Sequence, residues 1–304
     1  MSRHVAVLMG GWSAEREVSL VSGEACARAL EARGYRVTRI DVGRDLPQRL
    51  AELRPDCCFN ALHGGMGEDG RVQGLLDLMG IPYTHSGVLA SALAMDKPMA
   101  KRLFLSAGLR CPEGVETTPA RLAREGSPLP PPFVVKPACE GSSVGVCIVT
   151  DGDLAPVLAR NGLEPHDRLL IESYVPGREL TCAVLDDRPL AVTEIVPECG
   201  FYDYRAKYTA GLARHLVPAP LPATVYERVM DWALTAHRVL GCRGVSRADF
   251  RYDERCGPDG LYLLEVNTQP GMTPLSLVPE QAAHCGITFE DLVVRLVEEA
   301  RCDR

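Results

Sequence analysis

The chain has 304 residues, of which 46% are hydrophobic and 24% are charged, and its formal net charge is -7. This length is typical of two or three domains, and the composition is that of an ordinary globular protein. The negative charge argues against a general nucleic-acid binder, because phosphate contacts need a basic surface, but it leaves room for a local basic pocket.

The N-terminal part alternates predicted strands with predicted helices. The strands lie at His4–Met9, Arg36–Asp41 and 56–62, and the helices lie at 13–33 and Arg71–Met79. Ser13 is expected to cap the first helix and Gly34 to end it. Strands that alternate with helices predict a parallel sheet, in a first unit that runs to about residue 95.

A second unit is predicted for residues 96–185. It opens with a helix that Asp96 caps and that stops near Gly108. The strands Phe133–Pro137 and 144–150 follow, on either side of a Gly-Ser loop, and a further strand covers residues 169–174.

The remaining unit, residues 186–304, starts with strands and then crosses an irregular stretch at 197–222. A helix at 224–240, strands at 245–253 and Leu261–Asn267, and a final helix at 288–301 follow. The pattern as a whole predicts a mixed α/β protein.

The 12 cysteines show no CxxC spacing that would indicate a metal site or a redox pair. We expect free, reduced thiols that pack as small core residues. No secretory signal pattern is visible, and the apolar runs are far shorter than the roughly 20 residues of a membrane span. These features predict a cytoplasmic protein without a membrane segment.

The Gly-Ser loop at residues 140–145 has the sequence EGSSVG. Glycines let a backbone approach a phosphate, and backbone N–H groups together with the hydroxyls of Ser142 and Ser143 would donate to its oxygens. Lys136 leaves the preceding strand where its charge would reach the same phosphates. An ordinary hairpin turn explains the loop alone equally well, and the chain has no GxxxxGK[ST] motif.

Polar side chains also alternate with apolar ones on two later strands. Arg247 and Asp249 share a face of one strand, and Glu265 and Asn267 share a face of the next. Charged groups on the inner face of a strand are costly unless they are paired or bind a metal. Asp249, Glu265 and Asn267 suit Mg²⁺ that also binds phosphates, whereas the alternative is two solvated strand faces.

Three further positions have both a functional and a structural explanation. Gly271, in a Pro-Gly turn, would supply an N–H group for an oxyanion hole beside Arg247. Glu15 would accept a substrate ammonium group, or only stabilise the N-terminus of the first helix. His63, between a strand and two glycines, would bind substrate or be a satisfied histidine.

Residues 65–70 match GxGxxG, the pattern of a dinucleotide-binding dehydrogenase. Glu68 and Asp69 would place negative charge where a pyrophosphate must lie, so we interpret the segment as a tight turn whose acids favour the following helix. The aromatic and charged segment 202–208 is either plain surface or a lid that excludes water.

Taken together, these features resemble the D-alanine–D-alanine ligase family of the ATP-grasp superfamily. The matching segments are 8–19, 61–64, 68–70, 95–97, 136–137, 140–145, 201–204, 206–208, 265–267 and 270–273. They follow the order of the family along nearly the whole chain, so the resemblance is specific.

The resemblance implies an α/β (α+β) fold with three domains. Residues 1–95 would form an N-terminal parallel α/β domain with the first D-alanine site, and residues 96–185 and 186–304 two domains whose sheets clamp ATP. It also implies ATP-dependent joining of two D-alanines through a D-alanyl phosphate, which serves peptidoglycan precursor synthesis. A homodimer is expected, with no nucleic-acid or membrane partner.

The resemblance further implies roles for individual residues. The ATP-binding positions would be Lys97 and Lys136 at the phosphates, Ser143 in the loop, Glu172 and Val175 at adenine, and Glu179 at ribose. Asp249, Glu265 and Asn267 would bind two Mg²⁺ ions, which Mn²⁺ would replace, and a monovalent cation is a further expected ion.

The substrate and catalytic positions follow in the same way. Glu15, Ser142 and Tyr208 would form a hydrogen-bonded trio that joins the N-terminal domain, the loop and the lid. The oxyanion would lie at Arg247 and Gly271, and the substrates at His63, Ser276 and Leu277, with Lys207 nearby.

Two departures from the family pattern flank these positions. Ala138-Cys139 stands where a Ser-Arg type pair is more usual, and Ser246 stands where glycine is common. They concern loop motion and affinity rather than the reaction.

Three alternatives stay open at this point. One is a ligase with D-lactate or D-serine as acceptor, although the Lys207-Tyr208 pair resembles that of dipeptide-forming members. The others are an inactive nucleotide-binding module and, last, the dehydrogenase.

Overall fold

Three β-sheets organise the chain in the computed structural model, which describes residues 3–141, 145–160, 162–197 and 213–303. The first sheet is parallel, in the order β2-β1-β3. Its strands are β1 (His4–Met9), β2 (Arg36–Asp41) and β3 (Cys57–Asn60). The helices of this region are α1 (Arg16–Ala32), α2 (Leu46–Leu53), α3 (Arg71–Met79) and α4 (Val88–Met95). Every residue of the central strand β1 is buried, as expected for a strand covered on both faces.

Two local predictions for this region have different outcomes. Helix α1 begins at Arg16, and the predicted cap at Ser13 is wrong. The Ser13 hydroxyl instead donates to the His63 carbonyl at 2.6 Å and accepts from the Glu15 amide at 3.2 Å. The GxGxxG segment forms a short 3₁₀ turn, Gly65–Gly67, and the Asp69 carboxylate accepts from the first amide of α3 at 3.1 Å, as predicted.

The second sheet is antiparallel, in the order β4-β7-β5-β6. Its strands are β4 (Gly114–Thr117), β5 (Phe133–Pro137), β6 (Cys147–Val149) and β7 (Leu169–Ser173). The helices are α5 (Lys97–Ser106), α6 (Pro119–Glu125) and α7 (Ala155–Leu158). The predicted cap of α5 is confirmed, because the Asp96 carboxylate accepts from the Met99 amide at 3.1 Å.

The third sheet is also antiparallel, in the order β10-β9-β8-β11-β12. Its strands are β8 (Arg178–Leu185), β9 (Arg188–Pro197), β10 (Ala213–Leu216), β11 (Val245–Tyr252) and β12 (Leu261–Asn267). Helix α8 (Ala223–Leu240) lies between β10 and β11 in the chain, and helices α9 (Leu277–His284) and α10 (Phe289–Glu298) follow β12. The stretch predicted to be irregular therefore contains the strand β10. Because β8 pairs within this sheet, sheet membership changes before residue 185, and the domain boundaries stay a prediction.

The last helix joins the two ends of the chain. Leu292 and Leu296 of α10 lie in one buried cluster with Val5 of β1 and Leu30 of α1. The same cluster contains Leu185 of β8 and Val245 of β11, so this apolar burial holds the third sheet beside the N-terminal sheet. Every cysteine within the described residues is free, as predicted. None of the helices in these ranges is long and apolar enough to cross a membrane.

Candidate active site

A cleft lies between the second and third sheets. It is lined on one side by residues of β5, β6 and β7 and on the other by residues of β8, β11 and β12. The predicted nucleotide residues that line it are Lys97, Lys136, Glu172, Val175 and Glu179, together with Asp249 and Glu265. Two antiparallel sheets thus enclose the predicted ATP-binding residues from opposite sides.

Two lysines enter this cleft from different elements. Lys97 is the first residue of α5, and its ammonium donates to the Glu140 carbonyl of the Gly-Ser loop and lies 3.6 Å from the Glu265 carboxylate. Lys136 lies on β5, with its ammonium 2.6 Å from Glu172 on the neighbouring strand β7. Both side chains are buried and ion-paired, so positive charge is held inside the cleft.

Glu172 is shared between two lysines. Its second oxygen contacts the ammonium of Lys101, a buried residue of α5 that the sequence did not single out. Burial opposes ionisation of Glu172, but Lys136 and Lys101 outweigh it and lower its pKa. Burial also opposes the charge of Lys136, yet Glu172 and Glu265 raise the pKa of this lysine. For Lys101, burial has the larger effect and lowers the pKa although Glu172 acts in the opposite direction.

The predicted metal ligands lie on adjacent strands. Asp249 of β11 is directly opposite Glu265 of β12, and Arg247 is opposite Asn267. Opposite residues of an antiparallel pair share one face, so the three predicted ligands point to the same side of the sheet. Arg247 forms a two-pronged pair with Asp249, at 2.8 and 2.6 Å, and the Thr181 hydroxyl donates to the same carboxylate at 2.7 Å.

This donor set fits Mg²⁺ that shares its coordination with phosphate oxygens. Mg²⁺ typically takes only one or two carboxylates from the protein and completes its octahedron with waters and phosphates. Asp249 and Glu265 supply the carboxylates, and Asn267 adds an amide oxygen. No group of three or more His, Cys, Asp or Glu able to hold a metal occurs in the ranges that the structure describes.

A second pocket adjoins the cleft on the side of the N-terminal sheet. Four residues line both spaces: Lys97, Glu140, Gly141 and Glu265. The predicted residues that line the second pocket are Glu15, His63, Arg247, Asn267 and Gly271. The structure thus brings the predicted first-substrate residues and the predicted oxyanion residues to one place beside the phosphate lysine.

The N-terminal wall of this pocket contains two acids and a histidine. Glu15 is 6% exposed, so it is more than a solvated carboxylate at a helix end. His63 lies between the Glu68 carboxylate, at 3.5 Å, and the Ser22 hydroxyl, at 3.1 Å. Glu68 therefore belongs to the pocket, whereas the sequence had suggested only a role in the turn before α3.

The opposite wall is the turn after β12. A side-chain carbon at Gly271 would lie only 2.8 Å from the Ser276 hydroxyl, so a larger residue would require this hydroxyl to move. That hydroxyl accepts from the Thr273 amide at 2.9 Å. The turn is thereby held compact next to Arg247, as an oxyanion-binding turn would have to be.

A buried glutamine ties this turn to the N-terminal sheet. The Gln269 side chain donates to the Asn60 carbonyl and accepts from the Asn60 amide group at 3.2 Å. Its own backbone amide donates to Asn267 at 2.8 Å. Because Gln269 lies between Asn267 and Gly271 in the chain, these bonds fix the position of the turn relative to the N-terminal sheet. Sequence reasoning missed this residue, since a glutamine in a turn carries no distinctive pattern.

The other predicted positions are placed as follows. Arg251 donates to the Val175 carbonyl at 3.2 Å and lies 3.5 Å from Glu179, so both belong to the far end of the cleft. Ser276 and Leu277 lie at the start of α9 and do not line the second pocket. Four predicted residues lie outside the described ranges: Ser142, Ser143, Lys207 and Tyr208.

Comparison with known proteins shows the family of the chain. A family model described as "D-ala D-ala ligase C-terminus" matches residues 111–298, and one described as "D-ala D-ala ligase N-terminus" matches residues 46–86. The chain belongs to the D-alanine–D-alanine ligase family. The D-alanine–D-alanine ligase of Cereibacter sphaeroides is 60% identical, with 99% of this chain and 96% of that protein covered. That of Rhizorhabdus wittichii is 57% identical, with 98% and 96% covered.

Solved structures of the family have the same fold. A crystal structure of the Bacillus anthracis D-alanine–D-alanine ligase complexed with ATP is 34% identical, with a TM-score of 0.81 and 98% of this chain and 96% of that chain covered. A second structure of that enzyme gives 35% identity and a TM-score of 0.82, with 98% and 97% covered. The predicted family and the mixed α/β ATP-grasp architecture, with one parallel and two antiparallel sheets, are thereby confirmed.

Proposed function

We propose that the chain joins two D-alanines to D-alanyl-D-alanine, with ATP converted to ADP and phosphate. The observation that carries the proposal is the junction of the two pockets at Lys97 and Glu265, which line both. A carboxylate held in the N-terminal pocket would meet a nucleotide phosphate at this junction. Family membership and the ATP complex of the Bacillus anthracis relative support the choice of both substrates.

The larger cleft is the proposed ATP site. Lys97 and Lys136 would hold the phosphates, with the Gly-Ser loop and its Ser143 above them. Glu172 and Val175 would contact adenine, and Glu179 would contact ribose. The buried charges of the two lysines support this orientation, because a triphosphate is the most highly charged part of the nucleotide.

Asp249, Glu265 and Asn267 would hold two Mg²⁺ ions, with Mn²⁺ as a substitute. Bound Mg²⁺ supplies neutralisation of phosphate charge. Arg247 and Lys97 already pair with these carboxylates, so the site balances its charges before the ions arrive. A monovalent cation is a further proposed ion.

The second pocket is the proposed site of the first D-alanine. Glu15 would accept its ammonium group, and His63, fixed by Glu68 and Ser22, would line the same space. This would leave the D-alanine carboxylate facing Lys97 and the γ-phosphate. Transfer of the phosphoryl group gives D-alanyl phosphate, and here positioning and charge neutralisation are the main contributions of the protein.

The second step is attack by the amine of the other D-alanine on the acyl phosphate. Arg247 and the Gly271 amide would stabilise the negative oxygen that develops. Ser276 and Leu277, with Lys207, would hold the carboxylate of the second D-alanine. The amine then gives up a proton, phosphate leaves, and the peptide bond is complete.

A lid must keep water from the acyl phosphate. We assign this role to the Gly-Ser loop and segment 202–208, in which Ser142 and Tyr208 would form hydrogen bonds with Glu15. Ser142→Ala would then harm closure in the presence of D-alanine more than ATP binding.

The domain limits at residues 95 and 185, a homodimer, a cytoplasmic location and a role in peptidoglycan precursor synthesis complete the proposal. They rest on the family to which the chain belongs.

Release of ADP in the presence of different acceptors tests the proposed substrates. We expect D-alanine alone to support full activity, and a mixture of D-alanine with D-lactate or D-serine to add nothing at neutral pH. Stronger activity with a mixture would assign another acceptor. Absence of any D-alanine-dependent ADP release would favour an inactive nucleotide-binding module instead.

A further inference from the structure

We propose that Lys101 is a positioning residue for ATP: it occupies one oxygen of Glu172 and so leaves the charge of Lys136 available to the phosphates. The inference rests on the proposed function only in taking ATP as the ligand of the larger cleft. It assigns a role to a lysine that lines neither pocket.

The position of Lys101 follows from helix geometry. It lies four residues after Lys97 on α5, and residues at this spacing share one face of a helix. Lys97 reaches the cleft directly, whereas Lys101 ends behind Glu172, where it is 6% exposed. A lysine is rarely buried to this extent unless a carboxylate pairs with it.

Glu172 bridges two ammonium groups. One of its oxygens contacts Lys101, and the other lies 2.6 Å from Lys136. Only Lys136 and Glu172 of the three line the cleft. The Glu172 carboxylate therefore divides its charge between Lys136, which would contact the nucleotide, and Lys101, which does not line the cleft.

We infer the role of Lys101 from the net charge of the group that it forms with Lys136 and Glu172. Two ammonium groups and one carboxylate leave one positive charge in excess, whereas Lys136 and Glu172 alone would cancel each other. In a partly desolvated cleft, a charge a few ångströms from a phosphate contributes far more than it would in water. The charge of the nearby Lys97 is balanced, since this lysine pairs with Glu265. The excess charge is thus the part that attracts the triphosphate.

The test compares ATP with adenosine, which has no phosphates. The readout is the ratio of the adenosine Kd to the ATP Kd, measured with Mg²⁺ and without D-alanine. Lys101→Met keeps the length of the side chain and removes its charge. We expect this ratio to fall about tenfold, mostly through weaker ATP binding, as for the loss of one charge interaction.

A second substitution separates charge from packing. The double variant Lys101→Met with Glu172→Gln removes one charge of each sign, so Lys136 again carries an excess charge. We expect the ratio to return to within about threefold of the wild-type value. Lys101→Arg retains the charge and is expected to keep most of the ratio. If Lys101→Met fails to fold, Lys101→Gln, which also removes the charge but keeps a polar side chain, takes its place and is expected to give the same fall in the ratio.

Arg102→Met is the matched control. Arg102 is the neighbouring residue of α5, is exposed and contacts Met99 of the same helix, so its loss of charge should leave both Kd values unchanged. An unchanged ratio in Lys101→Met, or equal losses of ATP and adenosine binding, would overturn the inference. So would a double variant no better than the single one.

Failure of the proposed reaction would be seen separately. If the wild type binds ATP but forms no D-alanyl-D-alanine, the proposed function is wrong while the Kd ratios still test Lys101. If the peptide forms and the ratios do not move, only the role of Lys101 is wrong.

Discussion

Asp249 on β11 lies directly opposite Glu265 on β12, and each of these carboxylates pairs with a cation proposed to act in catalysis. Arg247 binds Asp249 in a two-pronged pair, and Lys97 lies 3.6 Å from Glu265. The proposed metal ligands, the oxyanion arginine and the phosphate lysine therefore form one connected group. Mg²⁺ and ATP would bind together, because the positive charge of the ion neutralises the negative charge of the phosphates.

The first prediction concerns the metal. Glu265→Gln should raise the Mg²⁺ concentration needed for half-maximal activity by at least about tenfold, because Mg²⁺ prefers a charged carboxylate oxygen. Activity as a function of Mg²⁺ concentration measures this shift. Glu254→Gln, on the exposed turn after β11, is the control and should match the wild type. An unchanged Mg²⁺ requirement in Glu265→Gln would remove this residue from the metal site.

The second prediction concerns the oxyanion. Arg247→Ala should lower kcat by about 10²–10³-fold, the usual effect of removing one oxyanion donor. Because Arg247 also pairs with Asp249, the assay is run at saturating Mg²⁺, so that altered metal affinity does not contribute. Near-normal kcat under these conditions would show that Arg247 serves only to balance Asp249.

The third prediction concerns the first D-alanine. Glu15→Gln should raise the KM for that substrate at least about tenfold, because a neutral amide binds an ammonium group less strongly than a carboxylate does. Initial rates over a range of D-alanine concentrations separate the two substrate sites. Glu17→Gln, an exposed acid in the first turn of the same helix, is the control. Equal effects of the two substitutions would mean that Glu15 acts only on the helix.

The fourth prediction concerns stability at low pH. Burial lowers the pKa of His85 from 6.5 to about 3, with smaller contributions from His63 and Arg243. Between these values the unfolded chain takes up a proton that folded His85 does not. The free energy of unfolding should therefore fall as the pH drops below 6.5, by up to about 1.4 kcal/mol per pH unit from this residue.

Urea unfolding at pH 7 and pH 5 checks this slope. His85→Asn has no group that titrates here, and asparagine tolerates the positive φ of 68° at this position. Its stability should depend less on pH than that of the wild type. Parallel pH dependences for the two proteins would contradict the burial of a neutral histidine.

The regular parts of the fold could be predicted from the sequence. Strand β5 has the predicted bounds, and α5 has its predicted cap at Asp96, because a buried apolar run and an N-terminal carboxylate are local signals. The error at Ser13 is one of position: its hydroxyl accepts from the Glu15 amide and donates to the carbonyl of His63, distant in sequence, and the helix begins only at Arg16. Strand β10 was missed because an edge strand of four residues has little pattern of its own.

The candidate site could likewise be predicted only in part from the sequence. Asp249 and Glu265 could be paired from strand alternation alone, although only the register shows that they are directly opposite. The contacts of Glu172 with two lysines, and of Gln269 with Asn60, join segments far apart in the chain. Such pairs depend on how the sheets pack, which the order of residues along one segment does not determine.

Identification of the product by mass spectrometry tests the central claim most directly. The purified chain is incubated with ATP, Mg²⁺ and an equimolar mixture of D-alanine, D-serine, D-lactate and L-alanine. We expect D-alanyl-D-alanine as the main product, with one ADP and one phosphate released for each peptide bond. A different main product, or ADP release without any peptide, would contradict the account.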